Sequence, residues 1–248
     1  MRDLRGTWGQ ALCSLFGAVL LILSIRWAFI EPYVIPSGSM IPTLLVHDHI
    51  FVNKFSYGIR LPFTTEWLLR FAQPQRGDVI VFRSVEDASV FVVKRVIGLP
   101  GDEIRVAANG QLIINGKAIE RRPVEEAEAA KLVETWPEQD RSDLLEKFAF
   151  FEEDLDGRKH IAIQERGDSL PDQEAVQGPY KVLPNSLFMM GDNRDNSSDS
   201  RVWGSLPIDR VLGRASLIWL SCEETLPEAN QLCDVNTMRW ERMPKGIQ

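Results

Sequence analysis

Hydrophobic positions divide this chain into one long apolar run followed by many short ones. From Trp8 to Ile30 it reads WGQALCSLFGAVLLILSIRWAFI, with no charge between Gly9 and Ile25. A helix needs about 20 mostly apolar residues to cross a bilayer, and this run suffices if Arg26 snorkels to the interface. Trp8 and Trp27 fall near its two ends, where aromatic side chains favour the headgroup region. A cleaved leader is the competing reading, but the run ends in Arg26-Trp27 with no small-x-small cleavage site. The pattern predicts an uncleaved transmembrane anchor over residues 1–30.

Beyond it, EPYVIPSGSMIPTLL is punctuated by prolines. Proline fixes its own φ and pushes the preceding residue towards extended backbone, so extended chain rather than helix is expected from Pro32 through Pro42. HIFVNKFSYG has the β-branched and aromatic content of a strand closing in a glycine turn. VIVFRS is a further strand, and SVFVVKRVIGLPGDEIRV reads as two strands around a Leu-Pro-Gly-Asp turn. Asn115-Gly116, inside GQLIINGKAIE, is a two-residue hairpin signal. From Glu120 to Asp156 the texture turns acidic and Ala-rich with poor periodicity, which predicts mixed helix and loop. RKHIAIQE, SLFMM and VLGRASLIWLS read as strands. The fold class is therefore mostly β: a single N-terminal transmembrane helix, a β domain from residues 31–101 and 184–222, a smaller inserted subdomain at 102–183 and a C-terminal extension at 223–248.

Composition narrows the partners. The net charge is -7, so the basic face that a nucleic-acid partner requires is missing. Arg2 and Arg5 before the anchor give a weak positive-inside bias because Arg26 follows it closely. Cys222 and Cys233 lie close together near the C-terminus. They read either as a local disulfide, which needs an oxidising compartment, or as two unrelated thiols. Both hints point to the N-terminus inside and the bulk of the chain outside.

Three blocks carry candidate chemistry: Pro36-Ser-Gly-Ser-Met-Ile-Pro-Thr43, Lys94-Arg-Val-Ile-Gly-Leu-Pro-Gly-Asp102 and Gly191-Asp-Asn-Arg-Asp-Asn-Ser-Ser-Asp-Ser-Arg201. Ser39 sits beside a glycine on a stiff stretch just past the anchor, and a serine hydroxyl becomes nucleophilic only when a base removes its proton. On a strand, Val92, Lys94 and Val96 share one face. Lysine in so apolar a run is unusual; burial would lower its pKa and free a neutral amine near pH 7. The competing reading is an edge lysine that reaches water. In the third block Asp192, Asp195 and Asp199 miss the calcium-loop pattern, and Arg194 and Arg201 read as their ion-pair partners. His47-Asp48-His49 suggests a triad, but nothing places it beside Ser39, and a polar strand start is the simpler reading. Phe51, Phe55, Leu61, Pro62, Phe63 and Trp67 read equally as a lipid-facing patch or as core.

Together and in this order, behind an anchor, the blocks resemble the type I signal peptidase family, the membrane-bound serine proteases that remove signal peptides. The resemblance weakens across residues 102–183 and after Cys222. It implies a β-rich catalytic domain with a smaller β cap, Ser39 as nucleophile and Lys94 as general base. It further implies Ser37 in the oxyanion hole, Ser197 orienting the lysine, and Asp192, Arg95, Asp199 and Arg201 as ion-pair residues near the site. The implied partners are membrane lipid and preproteins emerging from the translocation machinery, cut after small residues of the Ala-x-Ala type; no cofactor and no metal are implied. The implied location is the bacterial cytoplasmic membrane, with the N-terminus in the cytoplasm and the catalytic domain on the outer face. One departure is His47, where the family usually has glycine.

Overall fold

The computed structural model describes residues 8–61, 67–107, 109–136, 143–166 and 178–247. Its main sheet is antiparallel and orders the strands Ile30–Val34, Asp48–Asn53, Val211–Ser221, Val79–Arg83, Phe91–Gly98, Ser186–Met190 and Leu206–Pro207. Lys245–Gly246 adds beside Val211–Ser221.

The unbroken apolar run Val79-Ile-Val-Phe82 is explained by cover on both faces of its strand. Val79 and Val81 pack with Ile35, Met40 and Ile50, whereas Ile80 and Phe82 pack with Val96, Leu187 and Met189. The next strand alternates as its sequence predicts: Val92 packs on the second cluster and Val93 on the first.

Residues 102–183 contribute two small sheets. One sets Glu120–Pro123, Phe148–Leu155 and Arg158–Glu165 side by side; the other sets Tyr180–Lys181, Glu103–Val106, Leu112–Ile114 and Lys117–Ala118. Asn115 and Gly116 make the expected turn, with φ of 52° and 79°. The expectation of helix and loop from Glu120 to Asp156 holds only for the helices Glu126–Val133 and Leu144–Lys147. Phe148–Leu155 is a strand whose period is blurred by Glu153, a carboxylate buried where an apolar residue would be expected.

Two further corrections fall near the candidate chemistry. Gly38–Met40 is a 3-10 turn inside the stretch expected to be extended. The HIFVNKFSYG strand stops at Asn53, because the Asn53 side chain accepts from the Phe55 N–H and starts a 3-10 turn at Lys54–Ser56. His47 adopts a left-handed φ of 66°, the conformation that favours glycine.

At the N-terminus a 21-residue helix runs from Trp8 to Ala28. Leu12, Leu15 and Phe16 on it are 63%, 62% and 66% exposed. Among the described residues no helix is long and apolar enough to cross a membrane.

The C-terminal extension folds back on the sheet. Cys222 and Cys233 form a disulfide with Cα atoms 5.6 Å apart, which settles the alternative left by their spacing. Arg242, 2% exposed, donates to Asp48, 0% exposed, at 2.5 and 3.3 Å, and Ser221 donates to the same carboxylate at 2.6 Å. Removing one member of a buried pair strands the other charge. Arg242→Ala is therefore expected to cost about 3 kcal/mol, the low end for such pairs because Ser221 remains, read as a lower urea midpoint of the detergent-solubilised chain.

Candidate active site

The Gly38–Met40 turn carries Ser39 to the middle of the Phe91–Gly98 strand. There Lys94, opposite Ile80 in the register, places Nζ 2.5 Å from Ser39 Oγ. Lys94 is 3% exposed, so the edge-lysine alternative does not describe it. Burial is the main cause that lowers its pKa, to about 8; Asp199 and Asp192 pull it upward and Arg201 pushes it down. With that value roughly half of the amine is neutral at pH 8 and about a tenth at pH 7. Ser37 Oγ lies 3.4 Å from Ser39 Oγ.

The polar loop after the Ser186–Met190 strand clamps this pair. Asn193 N–H donates to the Ser39 carbonyl at 3.1 Å, and its carboxamide donates to the Gly38 carbonyl at 3.2 Å. A Cβ on Gly191 would stand 2.4 Å from both the Ser39 carbonyl oxygen and Ser197 Oγ, so only glycine lets the loop lie this close. Ser197 donates to Asp199 at 2.7 Å. That bond ties it to the carboxylate facing the lysine rather than to the lysine itself, which differs from the orienting contact expected.

Buried ion pairs hold the loop from behind. Arg95 grips Asp192 with two bonds of 2.8 Å and donates to the Gly77 carbonyl at 2.8 Å. Burial pushes the Asp192 carboxyl up, and Arg95 more than reverses this, holding it below the usual carboxylate range. Arg201 reaches Asp199 at 2.8 and 2.9 Å, and with Ser197 and the Gly191 N–H it overcomes burial and lowers that pKa as well. Arg194, expected to serve a carboxylate of its own loop, instead pairs with Glu153 of the inserted sheet. Asp195 accepts from the Glu165 N–H at 2.6 Å. The three aspartates of the loop thus all have partners, and no cation is needed to explain them.

Sequence reasoning missed Gly191, Asn193 and Thr43. Thr43 donates to Asp192 at 2.5 Å and lies 3.2 Å from Arg95. Its place at the end of the Pro36–Thr43 block was the available signal. His47 and His49 meet main-chain carbonyls of Glu223 and Gln231 instead of Ser39.

Beside Ser39 opens a groove of about 610 Å³, lined mainly by apolar residues including Ile35, Met40 and Phe91. A buried amine touching a hydroxyl beside a groove is the arrangement in which a serine can be activated, and comparison with known proteins gives the class of chemistry: the chain is a hydrolase of the peptidase kind. The family model described as Signal peptidase, peptidase S26 matches residues 8–220. Signal peptidase I of Pseudomonas fluorescens is 40% identical over 223 residues, 85% of this chain and 72% of that protein. Signal peptidase I of Pseudomonas aeruginosa is 37% identical over 220 residues, 84% and 71% of the two chains. A crystal structure of a signal peptidase I from Enterococcus faecalis is 26% identical, covers 59% of this chain and 99% of that one, and has a TM-score of 0.34. The chain belongs to the signal peptidase family, peptidase S26, and is a peptidase.

Three outcomes follow from this geometry. Gly191→Ala should leave the far-ultraviolet circular dichroism unchanged while lowering kcat at least tenfold, since its Cβ displaces the Ser39 backbone. A Lys94 that takes the Ser39 proton works only when neutral, so kcat/KM is expected to rise with pH through a midpoint near 8. Asp199→Asn removes a charge that raises the Lys94 pKa and leaves Arg201, which lowers it; the midpoint of that rise should move to lower pH.

Proposed function

We propose that this chain is a membrane-anchored serine endopeptidase that removes N-terminal signal peptides from preproteins as they leave the translocation machinery, cutting after small residues of the Ala-x-Ala type. The observation that carries this reading is the 2.5 Å contact between a buried lysine amine and the Ser39 hydroxyl.

In the ammonium form Lys94 donates to Ser39; neutral, it accepts the hydroxyl proton. Ser39 Oγ then attacks the substrate carbonyl carbon, and the oxyanion is held by the Ser39 N–H and the Ser37 hydroxyl. Collapse of the tetrahedral adduct expels the new N-terminus, which takes its proton from Lys94, and leaves an acyl-enzyme. Water, deprotonated by Lys94, then attacks the acyl carbon, the signal peptide leaves with a new carboxyl group, and the lysine returns the proton to Ser39 Oγ. Asp192, Arg95, Asp199 and Arg201 keep the loop against Ser39, and Ser197 acts on the amine through Asp199. No step calls for a metal or cofactor. An extended substrate can add as a strand to the Ile30–Val34 edge, beside the groove.

The chain also reads as a single-pass protein of the bacterial cytoplasmic membrane, with its N-terminus in the cytoplasm and the catalytic domain on the outer, periplasmic face. Support comes from the uncharged run Gly9–Ile25 and from the exposed apolar surface of the helix that contains it. The cystine near the C-terminus fits an oxidising compartment. A chain of rings, Phe29 to Phe55 at 5.3 Å and Phe55 to Phe71 at 4.9 Å, lies next to exposed Ile30, Leu68 and Leu69 and makes a seat for lipid. Of the other residues weighed for that seat, Phe51 stacks on Trp219, Leu61 is half-buried and Trp67 lies under Arg60 and Arg70. Pro62 and Phe63 lie outside the described residues.

The detergent-solubilised chain, incubated with a preprotein, should release a mature protein whose new N-terminus follows a small residue. Ser39→Ala and Lys94→Met should release none and keep the wild-type dichroism spectrum. Ser37→Ala should retain measurable turnover about 10²- to 10³-fold down in kcat, the usual loss for one oxyanion donor. Full cleavage by the Ser39→Ala protein would overturn the assignment.

A further inference from the structure

One wall of the groove beside Ser39 is built by a part of the chain that the family match does not reach. The match ends at residue 220. Past it, Thr225–Leu226 and Ala229–Cys233 pair as a hairpin, and Gln231 on that hairpin lines the same groove as Ser37, Ser39, Tyr33 and Phe91.

The position of Gln231 is held from two sides. The Cys222–Cys233 disulfide ties the hairpin to the region just past the Val211–Ser221 strand. His49, on the strand paired with Ile30–Val34, has Nε2 2.8 Å from the Gln231 carbonyl oxygen. The main chain of Gln231 is thus fixed to the strand next to Ile30–Val34, which lines the groove. Its carboxamide is exposed and has no hydrogen-bond partner among the described residues.

The remaining lining is mainly aliphatic, aromatic or proline, with hydroxyls only at Tyr33, Ser37 and Ser39. A peptide laid there sheds water from whatever polar side chains it brings, and each needs a partner to offset that loss. A glutamine amide offers two donors and an acceptor, and this one is uncommitted. Ser39 and Gln231 line the same groove, so an extended peptide whose scissile bond lies at Ser39 runs along the space that Gln231 faces.

We propose that Gln231 is a substrate-contacting residue whose carboxamide hydrogen-bonds a small polar side chain (Ser, Thr or Asn) of the bound preprotein near the cleavage site. The C-terminal hairpin thereby extends acceptance beyond small apolar residues. This rests on the signal-peptide reading given above.

The test uses the full chain in detergent and peptides that differ only in carrying Ser, Thr or Asn in place of Ala at each of the positions flanking the cut. Gln231→Leu should lower kcat/KM on at least one polar peptide by roughly three- to tenfold, the size expected for one neutral hydrogen bond. The loss should lie in KM, with kcat and the all-Ala peptide unchanged. Gln231→Asn, which keeps the amide, should recover part of it. In a Ser39→Ala background, which binds without cutting, Gln231→Leu should weaken anisotropy-detected binding of the same peptide by the same factor. Equal effects on polar and all-Ala peptides, or no effect, would defeat the role of Gln231 while leaving the peptidase assignment standing. A wild-type chain that cuts none of the peptides would defeat that assignment and this inference with it.

Discussion

The structure around Ser39 depends on keeping one lysine out of water. An ammonium group is stable in solvent and costly when buried, and Lys94 is dry because it stands on a strand flanked by apolar neighbours and capped by the Gly38–Met40 turn. Other features of the site follow from that constraint. Two carboxylates are close enough to raise the amine's pKa, each is held by an arginine, and Arg201 opposes their pull. The outcome, near 8, is a balance of burial against charge that neither would give alone.

The arginine pairs have a second effect. Arg95 with Asp192 and Arg194 with Glu153 are bidentate, and such forks fix orientation as well as distance. The first joins the strand of Lys94 to the loop that touches Ser39; the second joins that loop to the inserted sheet. The insertion is therefore braced against the site even though none of its described residues hydrogen-bonds Ser39. His160 lies in the same brace, with Nε2 3.5 Å from Glu153 and 3.9 Å from Asp192; burial first and then Arg95 hold its pKa below the ordinary value.

Strands of the main sheet were legible because their apolar runs are short, bounded by turn residues and carry no competing period. VIVFR and VLGRASLIWLS appear as strands over Val79–Arg83 and Val211–Ser221. Phe148–Leu155 was not legible, since its inward carboxylate is balanced by an arginine 41 residues away in sequence, and no local pattern encodes that partner. The same holds at the site. Ser39 and Lys94 were singled out by residue type and setting, but Ser197 meets Asp199, and the clamp made by Asn193 depends on a backbone approach that only Gly191 permits. Tertiary geometry decided those contacts. The 3-10 turn at Ser39 was hidden by flanking prolines that favour extended chain.

Long separations in sequence within the site bear on how the protein becomes competent. Ser39 and Lys94 are 55 positions apart, and the bond from Asn193 to Gly38 spans 155. Synthesis runs from the N-terminus, so the hydroxyl leaves the ribosome long before the loop that seats it. Closing such distances is slow relative to local folding, and the intermediate chain holds Ser39 with neither Lys94 nor the Asn193 clamp beside it. The site thus forms late, as a property of the completed sheet.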